Sequence, residues 1–249
     1  MRYLSAVTLL SCTIACATTQ TTEPASQAEA ATEDTMNQAD PYLWLEEVEG
    51  EKALNWVQDQ NKSSLVHFEA DPRYNQYLES AVDLLNAKDR IPYGAVRGGV
   101  IYNFWQDETN VRGLWRKTTP ESYRTDDPQW ETILDFDKLA ADENENWVYK
   151  GSVCLAPDFT RCMLRLSRGG KDASVYREFN IATKSFVEGG FELPEAKSSV
   201  DWVDENTLSV ATDWGENTLT TSGYPRITKL WKRGTPLKSA ETLLEGKTE

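Results

Sequence analysis

The spacing of hydrophobic positions divides the chain into a helical stretch followed by a β-rich one. Across residues 41–86, Tyr74, Tyr77, Leu78, Ala81, Leu84 and Leu85 recur three or four residues apart and form one apolar helical stripe. Leu54, Val57 and Leu65 outline a second stripe. Asp71-Pro72 separates the two, because aspartate caps a helix and proline suits its first position. After Ile91-Pro92 the pattern becomes short runs rich in β-branched and aromatic residues, broken by Gly-Gly, Pro-Asp, Asp-Glu-Asn and Ser-Gly. Three groups of strands are predicted: residues 100–105, 114–118 and 132–136; then 147–155, 161–166, 175–180 and 185–187; then 200–203, 208–212, 226–231 and 242–244. The groups repeat every ~40–50 residues, the period of propeller blades with about four strands each.

Two motifs sharpen this reading. Asp40, Pro41, Tyr42, Trp44, Leu45, Glu46 and Glu47 are followed by Trp56, Val57, Gln60 and Asn61. This arrangement resembles the opening of the prolyl oligopeptidase family of serine peptidases, where a D-P-Y-x-W-L-E-[ED] start leads into a W-V-x-x-Q-N helix. Within the second strand group, Leu155-Ala156-Pro157-Asp158 and Asn180-Ile181-Ala182-Thr183 occupy the two turns of that family's propeller unit, with Ala156 in place of the usual serine. Trp202, Asp204 and Asp213-Trp214-Gly215 resemble the next blade.

The resemblance implies a mainly β fold, a partial propeller of about three blades from a seven-bladed family architecture, preceded by an α-helical lead-in. It also implies that the helical segment wraps onto a C-terminal hydrolase domain. In the complete enzyme that domain would hydrolyse short peptides after proline, while the propeller screens them by size. The expected partners are therefore a peptide substrate and the hydrolase domain, which these 249 residues do not reach. A membrane-tethered propeller serving binding or scaffolding without catalysis is the alternative.

Composition adds limits and an address. With 39% hydrophobic residues and 9 tryptophans the chain can bury a core, and a formal net charge of −14 argues against a nucleic-acid partner. Residues 1–16 read as an export signal, with Arg2 ahead of an apolar run and small residues before a cysteine. Its end resembles a lipoprotein processing box. Cys16 is the expected lipidated residue, since it leaves an apolar run of the usual ~7–15 residues, and Cys12 is the alternative. A plain secretory signal cut near Ala17 is a third reading. Residues 17–39 lack aromatic residues and read as a disordered tether. The expected organisation is a signal at 1–16, a linker at 17–39, a helical segment at 40–90 and propeller at 91–249. The expected location is the periplasm or outer membrane of a Gram-negative cell, with the lipid anchor as the sole membrane attachment.

Candidate chemistry is sparse. Cys154 and Cys162 flank a turn-like segment and are candidates for a disulfide in an oxidising compartment, or for two small buried side chains on adjacent strands. With one distant histidine, His67, they make no zinc set, and no metal or cofactor is expected. A serine hydrolase of this type needs G-x-S-x-G, whose sharp strand-to-helix turn lifts the hydroxyl clear of its sheet, and the sequence has none. Ser167 and Ser222 read as turn residues, and His67 lies upstream of both, opposite to the chain order such a triad requires. No catalytic residue is assigned. The acidic pairs Glu46-Glu47, Asp126-Asp127 and Asp142-Glu143 read as solvated or helix-end charges, and Gly98-Gly99, Gly169-Gly170 and Gly189-Gly190 as turns. Trp105, Trp115, Trp130, Trp147, Trp202, Trp214 and Trp231 are expected to fill the space between blades, with some lining a tunnel.

Overall fold

A helical stretch comes first, as the spacing predicts, and a strand-rich stretch with two short helices follows it. The computed structural model describes residues 40–47, 49–87 and 89–248; the signal, Cys12, Cys16 and the linker fall outside the described residues. Two compact units are present, one ending at Asn75 and the other starting at Gln76.

In the first unit a 3-10 turn, Leu43–Glu46, precedes helix α1, Glu51–Glu69. The Trp44 and Trp56 rings meet edge to face at 6.1 Å, and the Lys52 ammonium lies 4.2 Å over Trp44. Helix α1 ends before Pro72, whose ring and missing N–H forbid its continuation. Asp71 then organises the turn, accepting from the Arg73 amide at 2.9 Å. Helix α2, Tyr74–Leu85, therefore starts two residues beyond the proline, rather than on it, and from Gln76 onward it belongs to the second unit. Leu54, Val57 and Leu65 of α1 and Leu78, Leu84 and Leu85 of α2 are exposed.

The second unit carries three antiparallel sheets. The first joins β1 (Ala95–Arg97), β2 (Val100–Trp105), β3 (Leu114–Thr118) and β4 (Glu131–Asp135) in sequence order. The second joins β5 (Trp147–Cys154), β6 (Arg161–Arg168), β7 (Ser174–Asn180) and β8 (Ser185–Phe186), with β9 (Glu192–Ala196) also paired to β7. The third joins β10 (Ser199–Asp204), β11 (Thr207–Ala211), β12 (Ile227–Lys232) and β13 (Glu241–Glu245). Strands β1 and β9 were not anticipated from the spacing. Nor were helix α3, Pro120–Tyr123, and helix α4, Phe136–Glu143, the latter beginning at a residue assigned above to the end of a strand. Asp135 caps α4 by accepting from the Lys138 amide at 2.9 Å, and Asn144 closes it in the left-handed conformation at φ 49°.

Two cores lie between the three sheets, and the strict alternation of a strand sorts residues into them. Cys162, Leu164, Leu166, Val175 and Phe179 face the first sheet and pack with Tyr102, Trp115, Ile133 and Phe136. Met163 and Tyr176, their neighbours along the same strands, face the third sheet with Phe191 and Leu193 and meet Val200, Leu208, Val210 and Trp231. Strand β6 is thus covered on both sides. Polar ties reinforce each boundary: Lys184 reaches Glu131 at 3.0 Å, Arg177 reaches Glu143 at 2.8 Å, and the Trp202 indole donates to the Val153 carbonyl at 3.0 Å.

Candidate functional site

Strands β1, β5 and β10 each open a sheet, and β10 packs on β5 across the sheet boundary. Such first strands converge on the axis when four-stranded sheets are arranged radially. A cavity of about 250 Å3 lies where β1 and β2 meet β5. Its apolar wall is Phe104, Trp115 and Tyr149, with the Tyr149 ring stacked on Phe136 at a centroid distance of 4.7 Å. Its polar rim comprises Arg97, Tyr102, Asn103 and Ser152.

Local backbone features shape this wall. Gly98 and Gly99 both have positive φ, 54° and 75°, which permits the two-residue reversal between β1 and β2 and leaves Arg97 at its foot. Opposite, the β5–β6 register slips between Tyr149 and Gly151, a bulge that places one extra residue in β5. Gly151 adopts φ 120°, and beyond its two chain neighbours no heavy atom approaches within 4 Å of where its Cβ would stand, so the bulge keeps the cavity open. The Tyr149 hydroxyl donates to Ser152 Oγ at 3.0 Å, and an Arg97 Nη1–H points at Cys154 Sγ, 3.4 Å away. Burial raises the Tyr149 hydroxyl pKa, opposed by the Ser152 hydrogen bond and by the Arg97 charge.

A second cavity of about 460 Å3 opens on the face of the first sheet turned away from the second, beside Arg90, Tyr93, Asn103 and Trp105. Next to it the Arg116 guanidinium lies between two indoles, 4.5 Å from the Trp105 ring and 4.4 Å from that of Trp130, and donates to Asn103 Oδ1 at 2.7 Å. Burial pulls its pKa down to about 10 while the Asp107 carboxylate pulls it upward, so Arg116 stays cationic at neutral pH.

The residues singled out from sequence do not gather into a catalytic group. Ser167 is buried and donates to the Lys171 carbonyl at 2.7 Å; Ser222 is exposed in a turn against Thr220, with the two hydroxyl oxygens 3.1 Å apart. His67 is exposed on α1. Asp126 and Asp127 are exposed, whereas Glu143 accepts from the Trp147 indole at 2.7 Å as well as from Arg177, so the Asp142-Glu143 pair is more than a solvated end. Cys154 and Cys162 stand directly opposite on β5 and β6, with Cα atoms 3.9 Å apart and sulfurs 2.00 Å apart. Trp115, Trp147 and Trp231 are buried in the two cores, and Trp105 and Trp130 flank Arg116 instead. Among the described residues, no group of three or more His, Cys, Asp and Glu side chains is gathered as a metal site. The axial cavity was not legible beforehand, since it depends on a bulge and on pairing between sheets.

Three antiparallel sheets in succession, with cores between them and first strands converging, define the class: a β-propeller domain. The sequence profile of the prolyl oligopeptidase N-terminal beta-propeller domain matches residues 21–249. The chain belongs to the prolyl oligopeptidase family. An uncharacterized peptidase of Sinorhizobium fredii is 49% identical over 209 residues, covering 84% of this chain and 29% of its own length. One from Rickettsia prowazekii is 32% identical over 210 residues, covering 81% and 29%. Among solved structures, a post-proline cleaving enzyme from Rickettsia typhi superposes with a TM-score of 0.75 at 33% identity, covering 83% of this chain and 31% of that one. Oligopeptidase B from Leishmania major, at 14% identity and a TM-score of 0.58, shares the fold. The chain thus spans less than a third of the length of these relatives.

Proposed function

We propose that this chain is the N-terminal, non-catalytic portion of an exported serine peptidase that cleaves short peptides after proline, and that its propeller limits which peptides reach the hydrolase domain. The observation that carries this reading is the family match along residues 21–249, combined with coverage of only 29–31% of the peptidase relatives and the post-proline cleaving enzyme. Two features of the described residues support it. The exposed leucines of α1 are apolar surface of the kind a hydrolase domain would cover, as, separately, are those of α2, and the Trp105 face of the first sheet offers a surface that another blade would cover.

The test is chemical. The 249-residue chain is expected neither to hydrolyse proline-containing reporter peptides nor to be labelled by a fluorophosphonate. The same chain continued through a hydrolase domain carrying G-x-S-x-G is expected to do both, and to spare folded proteins. Stoichiometric labelling of one serine in the 249-residue chain would overturn the reading, and inactivity of the continued chain would favour a binding or scaffold role.

Export is part of the same proposal and has its own measurement. In a Gram-negative host the full chain should fractionate with membranes and incorporate labelled fatty acid, Cys16→Ser should abolish the label and Cys12→Ser should retain it. The reverse pattern would move the anchor to Cys12, and an unlabelled wild type would leave a secreted protein without an anchor. Export would also place Cys154 and Cys162 where a disulfide persists. Unreacted thiols at both positions in material from the periplasm would count against that bond.

A further inference from the structure

Two donors on the rim of the axial cavity, Arg97 and Tyr102, lack a strong acceptor among the described residues. Tyr102 is 9% exposed, yet its hydroxyl, on the cavity lining, has no hydrogen-bond partner among the described residues. The hydroxyl oxygen itself is not sealed from solvent, so it faces the open cavity as an available donor. Arg97, half-buried beside it, is paired with no carboxylate among the described residues; its side-chain hydrogen bond goes to the sulfur of Cys154, a weak acceptor. Ser152 already accepts the Tyr149 proton, and its own hydrogen has the disulfide sulfur of Cys154 as a weak acceptor, with Oγ and Sγ 4.0 Å apart. Among the described residues no aspartate or glutamate lines the cavity, and the Asn103 side chain is used at both ends, its oxygen by Arg116 and its amide by the Tyr93 carbonyl. Arg97 and Tyr102 therefore present donors to the cavity, while Phe104, Trp115 and Tyr149 supply an apolar wall.

We propose that this cavity is a carboxylate-binding subsite on the axial wall of the propeller, with Arg97 and Tyr102 holding the anion and the aromatic wall taking an adjoining apolar side chain. The chemistry fits the free C-terminal carboxylate of a short peptide. A planar guanidinium can engage both oxygens of such a group, and a charge-assisted bond to it is stronger than a neutral one. The volume of about 250 Å3 suits one terminal residue, being below the ~300–1,000 Å3 of pockets that engulf whole small molecules. Burial raises the pKa of Tyr102 and outweighs the opposing charge of Arg97, so the tyrosine keeps its proton at neutral pH. The subsite deepens the proposed handling of short peptides and rests on that reading for its natural ligand.

The test is peptide binding to the 249-residue chain, followed calorimetrically at neutral pH, and needs no hydrolysis. Three probes separate the sources of a carboxylate: acetyl-Gly-Pro-Phe with a free C-terminus, the same peptide as its amide, and acetyl-Gly-Glu-Gly amide, whose carboxylate is on a side chain. Free-acid binding is expected to exceed amide binding by at least about tenfold, as loss of a charge-assisted contact implies. Arg97→Gln should abolish that preference, Arg97→Lys should restore part of it, and Tyr102→Phe should weaken the acid severalfold while leaving the amide unchanged. Equal binding of acid and amide, no saturable binding, or an acid preference that survives Arg97→Gln would overturn the subsite. Preferential binding of the glutamyl probe would keep the carboxylate site and move its source to acidic side chains. Should Arg97→Gln fail to fold by circular dichroism, the Arg97→Lys and Tyr102→Phe arms decide. Failure here with an active continued enzyme would remove the subsite alone, and binding here with an inactive enzyme would remove the peptidase reading alone.

Discussion

Replacing Arg233 with methionine is expected to destabilise the boundary between the second and third sheets by about 3–5 kcal/mol, the usual cost of stranding a buried charge. Glu178, whose side chain is fully buried, is held by Arg233 through Nη1 to Oε2 at 2.8 Å and Nη2 to Oε1 at 3.0 Å. The same carboxylate accepts the Phe191 amide at 2.9 Å, the guanidinium also donates to the Glu205 carbonyl at 2.8 Å, and it lies 4.4 Å over the Phe191 ring. Removing the arginine leaves an anion in an apolar boundary with one backbone donor. Removing both charges, as in Glu178→Met with Arg233→Met, should recover most of the loss, because desolvation of the pair offsets much of its attraction. Denaturant midpoints of the four proteins in this double-mutant cycle measure the effect. A single Arg233→Met variant within ~0.5 kcal/mol of wild type would show that the latch contributes little.

Phe136→Ala should cost about 3–5 kcal/mol, through lost transfer energy and through a cavity that its neighbours fill poorly. Phe136 is fully buried, stacked on Tyr149 at 4.7 Å and edge-on to Phe104 at 5.9 Å, so one ring joins the first sheet, helix α4 and the second sheet. Phe136→Leu should restore more than half of the loss, as it keeps the apolar volume near the helix start. Thermal unfolding of the two variants distinguishes these outcomes. A loss as large for leucine as for alanine would mean that the aromatic geometry, not the volume, is what matters.

What could be read from the sequence follows the range of the forces involved. Residues 100–105 and 114–118 were placed with their observed limits, because local alternation, aromatic content and turn residues decide such strands. Strand β1 escaped because Ala95–Arg97 is too short to show a period, and β9 because Glu192–Ala196 contains Pro194 and two glutamates. Helix α4 was legible in principle: Asp135, Leu139-Ala140 and Asn144 are a cap, an apolar face and a stop, but its acids suggested a loop. Glu178 and Arg233 lie 55 residues apart in sequence, and the Arg97–Tyr102–Ser152 rim requires a bulge and a neighbouring sheet. No local pattern encodes either.

The double burial of strand β6 has a consequence for how this protein can vary over generations. Cys162, Leu164 and Leu166 answer to one core, while Met163 answers to the other and Ser167 is sealed beside it. A strand on the surface of a sheet keeps every second position free to drift; across Arg161–Arg168 the buried positions include adjacent residues, such as Leu166 and Ser167. Mutational tolerance should therefore fall to its minimum along β6 without the two-residue alternation that half-buried strands show. Change in this domain is channelled into the turns and outer strands, such as the exposed β13, which can move without disturbing either core.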